Sequence, residues 1–500
     1  MTPEQFKQYA DQGYNKIPLM KTILADLETP LSAYMKLANA PYSYLFESVE
    51  GGENWGRYSI IGLPCKDLIN ISGETITLQS NGKISDTIRS AEPLKWLREY
   101  ASRFSTPHVE GLPRFTGGLV GYFGYETIHY IEPKVAENSQ KTAKEDPIGS
   151  PDILLMVSED VLVFDNVSNQ LMIVTHVNPK QKNAYLKGLE RLEKLVDKLE
   201  KTHIKTAFGQ SKTEAVAEAD FVSGFTQQGF QDAVKKVKDY IVEGDVMQVV
   251  LSQRMTIPYA EPPIDLYRAL RCINPSPYMY HLNLGDTHVV GSSPEILTRL
   301  EDNKVTVRPI AGTRPRGATR EQDDALEKEL LADPKECAEH LMLIDLGRND
   351  AGRVSKTGSV ELTDKMIIER YSHVMHIVSN VTGELQPGLD AIDVLEATFP
   401  AGTVSGAPKI RAMQIIDELE PVKRGVYSGA IGYLSWSGNL DTAIAIRTAV
   451  IKDGKLNIQA GAGIVHDSVP EKEWAETMNK GRAIFKAVAM AQRGLTEGGQ

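Results

Sequence analysis

Two pairs of glutamates in the C-terminal half have the chemistry and spacing to hold a hard cation. Glu336 and Glu339 form one pair, and Glu473 and Glu476 form the other. Residues three apart in a helix lie on one face, so each pair would present two carboxylates together. Mg²⁺ prefers oxygen ligands and commonly bridges one or two protein carboxylates to an anionic substrate. The alternative is a solvated helix face, because Glu476 and Lys480 have the spacing of an ordinary ion pair.

Three glycine-containing segments are candidates for binding a carboxylate or a phosphate. Residues 400–409 lead into an amphipathic helix with Ser405 as a candidate N-cap, and free N–H groups at a helix start bind anions. Residues 461–463 follow a predicted strand and offer close approach to the backbone. Residues 310–316 place two arginines after another strand. Ordinary tight turns explain the first two segments equally well.

Two further side chains are candidates for catalysis or anion binding. His376 is flanked by apolar residues, which is typical either of a hydrogen-bonded core histidine or of a general base. Arg447 lies in an apolar run predicted to be a strand over 443–450, and a charge there needs a partner. A bound carboxylate would be a suitable one.

Short strands and long helices must position these groups. Apolar residues at three- and four-residue steps predict helices, and short β-rich runs bounded by turn residues predict strands. Because the strands first alternate with helices and then cluster, we predict an α+β fold with antiparallel sheets and helices outside. A polar stretch over 203–220 is the best linker candidate, and a surface loop explains it equally well. The predicted helices cover about 180–201, 230–243, 264–272, 321–346 and 471–485.

The composition excludes several classes of protein. The 500 residues include 55 basic and 66 acidic side chains, a net charge of −11, which argues against a nucleic-acid partner. Hydrophobic and charged fractions of 41% and 24% are those of an ordinary globular protein. The three cysteines are far apart, and the sequence shows neither a signal peptide nor a membrane-spanning run. We therefore expect a cytoplasmic protein with no membrane partner.

Six motifs in order resemble the chorismate-utilising enzyme family. They are PIAGTRPRG, DPKECAEHLMLIDLGRND, HVMHIVSNVTG, TFPAGTVSGAPKIRA, YSGAIGY and AGAGIVHDSVPEKEWAETMNKG. The resemblance covers about Phe225 to Ala489 and implies a large sandwich of two antiparallel sheets with helices outside. It also implies a catalytic region over 221–490, preceded by a regulatory and partner-binding region over 1–205.

The resemblance implies a role for each candidate residue. Glu295 matches the family's general acid, His376 would assist a later proton removal, and Lys480 would contact the substrate's ring carboxylate. Four glutamates would hold Mg²⁺, with Glu339 and Glu476 as ligands and Glu336 and Glu473 in support. The implied substrate-binding residues are Gly312, Thr313, Thr403, Tyr427, Arg447, Gly461, Ala462 and Gly463.

Two positions help to choose among members of the family. Water-using members carry a lysine at the position of Gln248, whose amide cannot act as a base, so ammonia is the expected nucleophile. Members that form aminodeoxychorismate often carry a lysine at the position of Ala311. The resemblance thus favours conversion of chorismate and ammonia to anthranilate and pyruvate, with aminodeoxychorismate formation as the alternative.

The first half of the chain resembles the family's L-tryptophan feedback site. Residues 44–50, 56–62 and 274–279 look like its LLES, GRYS and NPSPYM elements. A turn entering a core strand is the alternative reading of the last element. Because no cysteine lies in a glutaminase-type nucleophile turn, we expect a separate glutamine amidotransferase subunit, within a heterotetramer. The implied effector contacts are Glu47, Ser48, Pro277, Tyr278 and Met279.

Overall fold

The computed structural model describes residues 1–49, 56–142, 144–204, 216–371 and 374–495. Residues 205–215 of the predicted linker and Glu50 of the predicted effector element lie outside these ranges. No described helix is long and apolar enough to cross a bilayer. The helices are Pro3–Asp11, Pro30–Leu37, Pro93–Ala101, Ile128–Ile131, Pro133–Thr142, Ala184–Lys201, Gln227–Val242, Pro263–Ile273, Arg320–Ala332, Pro334–Gly352, Ala391–Thr398, Lys409–Leu419 and Pro470–Gln492.

The strands form two large antiparallel sheets. In chain order they are β1 (Ile17–Leu24), β2 (Ser43–Glu47), β3 (Tyr58–Gly62), β4 (Asp67–Ser72), β5 (Thr75–Ser80), β6 (Lys83–Arg89), β7 (Gly118–Phe123), β8 (Ile153–Ser158), β9 (Asp160–Asp165), β10 (Gln170–Val177), β11 (Val222–Ser223), β12 (Gln248–Pro258), β13 (Tyr278–Asn283), β14 (Thr287–Ser293), β15 (Ile296–Glu301), β16 (Lys304–Val307), β17 (Ile310–Pro315), β18 (Glu361–Arg370), β19 (Val374–Glu384), β20 (Gly406–Ala407), β21 (Ala430–Ser435), β22 (Leu440–Ile444), β23 (Thr448–Lys452) and β24 (Lys455–Ile464).

Strands from both halves of the chain contribute to each sheet. The first sheet has the order β1-β10-β9-β3-β2-β13-β14-β23-β24-β12-β11, with β20 beside β12. The second has the order β17-β19-β16-β15-β22-β21-β7-β8-β4-β5-β6, with β18 beside β19. The predicted α+β sandwich of two antiparallel sheets is confirmed. The division of roles between 1–205 and 221–490 stays a prediction. The two regions share both sheets, since β2 pairs directly with β13 and β7 with β21.

Apolar side chains fill the space between the sheets and cover both outer faces. Tyr44, Tyr122 and Tyr280 are buried in the layer where the sheets face each other. The helices Ala184–Lys201 and Pro470–Gln492 pack on the outer face of the first sheet. Each fully buried large apolar side chain contributes roughly 1.5–3 kcal/mol, so this layered burial is the main force that holds the sheets in place.

Two predicted elements are each divided in the structure. The long helix predicted over 321–346 is two helices, because Asp333 accepts hydrogen bonds from the N–H groups of Lys335 and Glu336 at 3.0 and 3.3 Å, and Pro334 starts the second helix. The strand predicted over 443–450 is also wrong: the chain leaves β22 in one sheet and enters β23 in the other. The second division creates the candidate active site.

A buried histidine provides a test of the packing around β13. His281 is 1% exposed, neither ring nitrogen has a hydrogen-bond partner among the described residues, and its ring stacks on His288 at 5.7 Å. Burial, followed by repulsion from His288, lowers the pKa of His281 from its usual 6.5 to about 3. At a pH between these two pKa values the unfolded chain binds a proton that the folded chain does not, so the free energy of unfolding decreases as the pH is lowered from about 6.5 toward 3.

We expect His281→Leu to weaken this acid sensitivity. The contribution of one such histidine is up to about 1.4 kcal/mol per pH unit. The measurement is urea unfolding at several pH values between about 4 and 7. Substitution of the exposed His108 by leucine is the matched control. An equal pH slope in wild type and His281→Leu would contradict the prediction.

Candidate active site

The candidate active site lies where the chain crosses twice from one sheet to the other. The crossing between β14 and β15 carries Glu295, and the crossing between β22 and β23 carries Arg447. Hydrogen bonds join the two crossings: the Ile444 N–H donates to the Glu295 carbonyl at 3.0 Å, and the Ser292 N–H donates to the Arg447 carbonyl at 3.1 Å. An acid and a cation from distant parts of the sequence are therefore held in one corner of the sandwich.

Glu295 is a buried carboxyl group with only 6% of its surface exposed. Burial raises its pKa to about 8, although the neighbouring Thr403 hydroxyl, the Ile310 backbone and the Lys480 ammonium limit the rise. A carboxyl group with this pKa is mostly protonated at neutral pH and can donate a proton. A general acid, the role expected of Glu295, must be protonated at neutral pH, and the crossing between the sheets supplies the burial that raises its pKa.

Arg447 is a half-buried cation whose charge is attracted at longer range by Tyr427 and by the Glu476 carboxylate. It lies between strands with φ of 51°, rather than at the end of a strand as predicted. Its guanidinium makes no hydrogen bond or ion pair with any described residue, and burial lowers its pKa. Since an unpaired charge in a partly buried site is unfavourable, the position suits an anionic ligand.

The open edge of β24 faces this corner. In register with β12, Gly461 lies opposite Ser252, and Gly463 lies opposite Val250. The N–H groups of Ser252 and Val250 donate away from β24, to Glu420 at 2.8 Å and to the Ser405 carbonyl at 2.9 Å. These are therefore non-hydrogen-bonded pairs, and the N–H groups of both glycines point away from β12.

The intervening Ala462 has the opposite orientation. Because backbone groups alternate along a strand, its N–H belongs to the ladder with β12 and is not available to a ligand.

The absence of side chains at Gly461 and Gly463 leaves room for neighbouring side chains. A Cβ at Gly461 would lie 2.8 Å from the Tyr427 hydroxyl, and one at Gly463 would lie 2.5 Å from the Gln248 amide nitrogen. Burial raises the pKa of Tyr427 to about 12, so its hydroxyl remains a hydrogen-bond donor.

His376 lies on β19 beside an irregularity in β17. Gly312 has φ of 65° at a register shift, and its carbonyl accepts a hydrogen bond from His376 Nδ1 at 2.9 Å. The proton is therefore on Nδ1, which leaves the Nε2 lone pair free. Thr313 Oγ1 lies 3.1 Å from the same nitrogen. Burial lowers the pKa of His376 to about 4, with a further decrease from the Arg447 charge, so the ring is neutral near pH 7.

The four glutamates lie on the helices Pro334–Gly352 and Pro470–Gln492. Burial and the charges of Glu336 and Glu476 raise the pKa of Glu339, and burial and Glu476 raise the pKa of Glu473. Within the described ranges, no three or more His, Cys, Asp or Glu side chains converge closely enough to hold a metal ion. A cation at this site would therefore need further ligands from a substrate.

Other contacts connect these helices to the site. Glu339 accepts a hydrogen bond from Gln248 at 3.3 Å. Lys480 forms the anticipated ion pair with Glu476 at 2.8 Å and also donates to the Gly461 carbonyl at 2.9 Å. The open edge of β24 and the acidic pairs are thus adjacent.

The segment 400–409 differs from its sequence prediction. Ser405 is not an N-cap, because its hydroxyl donates to the Ala401 carbonyl at 2.8 Å and the helix Lys409–Leu419 is preceded by Pro408. Thr403 instead lies in the short turn Gly402–Val404 beside Glu295. Sequence reasoning also missed Arg424, a buried arginine under this segment, because a single arginine in a polar stretch carries no pattern.

A second cavity lies between the sheets and brings together all five predicted effector residues. Its volume is about 890 Å³ with the open mouth included. The Ser48 hydroxyl is buried there without a partner among the described residues. The Glu47 carboxylate instead bonds to Tyr267 and to Arg271, the latter at 3.0 Å. The aromatic residues that line the cavity are Phe46, Tyr58, Phe115, Tyr278, Tyr280 and Tyr433.

The two-sheet fold and the corner between the crossings define a class of enzyme. The family model described as chorismate binding enzyme matches residues 44–486, and the chain belongs to this family. Anthranilate synthase component 1 of Pseudomonas aeruginosa is 57% identical over 495 residues, which cover 99% of this chain and 100% of the relative.

One solved structure supports this assignment, and a second shares the fold. Anthranilate synthase component I from Streptococcus pneumoniae TIGR4 has a TM-score of 0.76 and 38% identity, covering 93% of this chain and 99% of that one. The menaquinone-specific isochorismate synthase from Escherichia coli shares the fold, with a TM-score of 0.69, 19% identity and coverage of 97% and 98% of the two chains.

Proposed function

We propose that this chain is the large, chorismate-binding component of an anthranilate synthase. It converts chorismate and ammonia to anthranilate and pyruvate, the first committed step of tryptophan biosynthesis. The observation that carries the proposal is the placement, in one corner, of a buried, protonatable Glu295 and of Arg447, whose guanidinium has no hydrogen bond or ion pair with a described residue. Near-full-length similarity to proteins named anthranilate synthase component 1 supports the particular reaction.

Chorismate carries two carboxylates, an enolpyruvyl ether and an allylic hydroxyl. Arg447, the Tyr427 hydroxyl and the outward N–H groups of Gly461 and Gly463 would bind the enolpyruvyl carboxylate. The ring would lie beside Thr403, opposite the bulge that contains Gly312 and Thr313. This pose directs the allylic hydroxyl toward Glu295.

In the first step ammonia attacks the ring carbon next to the carboxyl-bearing carbon. The allylic hydroxyl leaves with its bonding electrons, takes a proton from Glu295 and departs as water. The newly attached ammonium group then loses one proton, which balances the proton that Glu295 donated, so Glu295 is protonated again for the next turnover. Gln248 cannot activate water as a base. Ammonia, unlike water, is nucleophilic enough to attack before it loses a proton, so it needs no such activation.

In the second step the amine-bearing ring carbon loses its proton and the enolpyruvyl methylene gains one. The ether bond breaks, pyruvate is released and the ring becomes aromatic. His376 is the proposed assistant, because its ring is neutral and its Nε2 lone pair is free.

Mg²⁺ is the proposed cofactor. Glu339 and Glu476 would bind it, with Glu336 and Glu473 in support, and their oxygen donors and mutual repulsion fit a divalent cation. When bound, the ion would neutralise the ring carboxylate, which accounts for recruitment of an anion by a chain of net charge −11. Lys480 would contact the same carboxylate.

A separate glutamine amidotransferase subunit is the proposed source of ammonia, in a cytoplasmic heterotetramer. The cysteines of this chain support the proposal that glutamine hydrolysis takes place on another subunit. Burial raises the pKa of Cys65 to about 12, which disfavours the nucleophilic thiolate. No cysteine has the sequence setting of a glutaminase nucleophile.

Product analysis of the purified chain tests the proposed reaction. With chorismate, Mg²⁺ and ammonium we expect fluorescent anthranilate and an equal amount of pyruvate. Glutamine should not replace ammonium unless a partner is added. Formation of aminodeoxychorismate without pyruvate would favour the alternative reaction, aminodeoxychorismate synthesis. Turnover with glutamine in the absence of a partner would contradict the need for a separate amidotransferase subunit.

We further propose that the cavity between the sheets binds L-tryptophan as a feedback inhibitor. Its aromatic lining suits an indole ring, and the unpartnered Ser48 hydroxyl offers a hydrogen bond. We expect Ser48→Ala to raise the inhibition constant about tenfold, the equivalent of one hydrogen bond, with unchanged uninhibited kcat.

Inhibition curves with anthranilate fluorescence measure this effect, and Ser102→Ala at an exposed position is the control. Tryptophan and chorismate should also weaken each other's binding by the same factor. Wild-type inhibition of Ser48→Ala would refute the assigned contact.

A further inference from the structure

Arg424 has no role in the chemistry described above, yet it is among the most buried charges of the protein. It forms an ion pair with Glu420, and both side chains are 1% exposed. Its Nε and Nη2 donate to the two carboxylate oxygens at 2.9 and 2.6 Å. Because desolvation offsets much of the attraction in a buried pair, stability alone is a weak reason for this arrangement.

The remaining donors of Arg424 reach three separate segments. Its Nη1 donates to the Val404 carbonyl at 2.7 Å and to the Ser428 hydroxyl at 3.2 Å, and its Nη2 donates to the Val250 carbonyl at 2.8 Å. All five N–H donors of the guanidinium are thereby used. Its two ends thus tie together pieces of chain that are remote in sequence.

Each of these segments carries a group that faces the candidate active site. Val404 follows Thr403, and Ser428 follows Tyr427. Val250 lies on β12 opposite Gly463. The guanidinium also lies 5.5 Å from the centre of the Tyr427 ring, at cation–π distance.

Two carboxylates fix Arg424 in turn. Glu420 accepts hydrogen bonds from the N–H and the hydroxyl of Ser252, each at 2.8 Å, and so ties the pair to β12. Glu126 accepts the backbone N–H groups of Arg424 and Gly425 at 3.0 Å each. The guanidinium therefore has a single well-determined position.

We propose that Arg424 is a positioning residue that holds three sides of the chorismate site in register without contacting the substrate. The inference rests on the proposed function. It assigns to one buried side chain the relative placement of Thr403, Tyr427 and the glycine edge of β24. A shift of about 1 Å in such groups can lower the rate of catalysis about a hundredfold.

Arg424→Lys tests the proposal. Lysine keeps the positive charge beside Glu420, but its single nitrogen cannot reach Val404 and Val250 together. We expect the KM for chorismate to rise at least about tenfold and kcat to fall up to about a hundredfold. Circular dichroism and the affinity for tryptophan should stay at wild-type values, because Arg424 does not line the effector cavity.

Arg191→Lys is the matched control. Arg191 also pairs with a carboxylate, Asp160, at 2.8 Å, but it lies on the helix Ala184–Lys201 and should leave both kinetic constants unchanged. A folded Arg424→Lys with wild-type KM and kcat would overturn the proposal. If that variant does not fold, Ser428→Ala provides the test. It removes the hydrogen bond from Arg424 to the Ser428 hydroxyl and should raise the KM for chorismate a few-fold. Unchanged KM and kcat would again overturn the proposal.

Wild-type turnover in the same assay separates this inference from the proposed function. If wild type forms no anthranilate and calorimetry detects no chorismate binding, the proposed function fails and the positioning role falls with it. If wild type is active and the variants match it, only the positioning role is wrong.

Discussion

Glu295→Gln is expected to lower the rate of anthranilate formation by a factor of about 10²–10⁴, the usual contribution of a general acid. Glutamine has nearly the same shape and can still donate a hydrogen bond, but it cannot transfer a proton to the departing hydroxyl. Chorismate affinity should change little, because Arg447 and the edge of β24 remain. Steady-state kinetics and calorimetric titration measure the two effects. Glu243→Gln, at an exposed position, is the control.

The pH dependence of the wild-type enzyme provides a second test of the same residue. Glu295 must be protonated to act, and its pKa is raised to about 8 by burial. At a fixed concentration of unprotonated ammonia, kcat/KM for chorismate should therefore be level at neutral pH and fall as the pH rises through about 8. A residual rate in Glu295→Gln should lack this decrease. Undiminished turnover of the variant would remove Glu295 from the mechanism.

The sequence predicts the types of element well because it contains the local signals that cause them. The run of apolar residues at helical spacing over 180–201 becomes the helix Ala184–Lys201. The division at Asp333 and Pro334 was also readable, since an N-cap followed by proline marks a helix start. The two-sheet sandwich itself came from the resemblance, because strand order is a long-range property that periodicity does not contain.

The geometry of the candidate site depends on such long-range pairing. Residues 443–450 look like one strand locally, but β22 follows β15 in one sheet and β23 follows β14 in the other. The chain must therefore turn at Arg447, where φ is 51°. For the same reason no pattern in the sequence shows which N–H groups of 461–463 face a ligand. That depends on the register of β24 with β12.

Arg447→Gln is expected to weaken chorismate binding and to stabilise the ligand-free protein. Glutamine has similar length and no charge, so the charge-assisted bonds to a carboxylate are lost. Such bonds contribute about 1.5–3 kcal/mol, which corresponds to a rise in Kd of roughly 10- to 150-fold. Without ligand, the wild-type guanidinium is a half-buried cation with no hydrogen bond or ion pair to a described residue. The longer-range attraction of Glu476 and Tyr427 does not offset the cost of burial, which lowers its pKa, so removal of the charge should raise the free energy of unfolding.

The two effects of Arg447→Gln have opposite signs, which distinguishes a binding role from a structural one. Position 447 has a left-handed φ, which is unfavourable for any residue with a Cβ. Arginine and glutamine both have one, so the substitution adds little backbone strain. Arg447→Lys is the companion variant: it should recover part of the affinity and none of the added stability. Calorimetric titration with chorismate and urea unfolding without it measure the two quantities. If Arg447→Gln is less stable than wild type and binds chorismate with wild-type affinity, Arg447 supports the fold. A bound carboxylate would then no longer be needed to explain the buried charge.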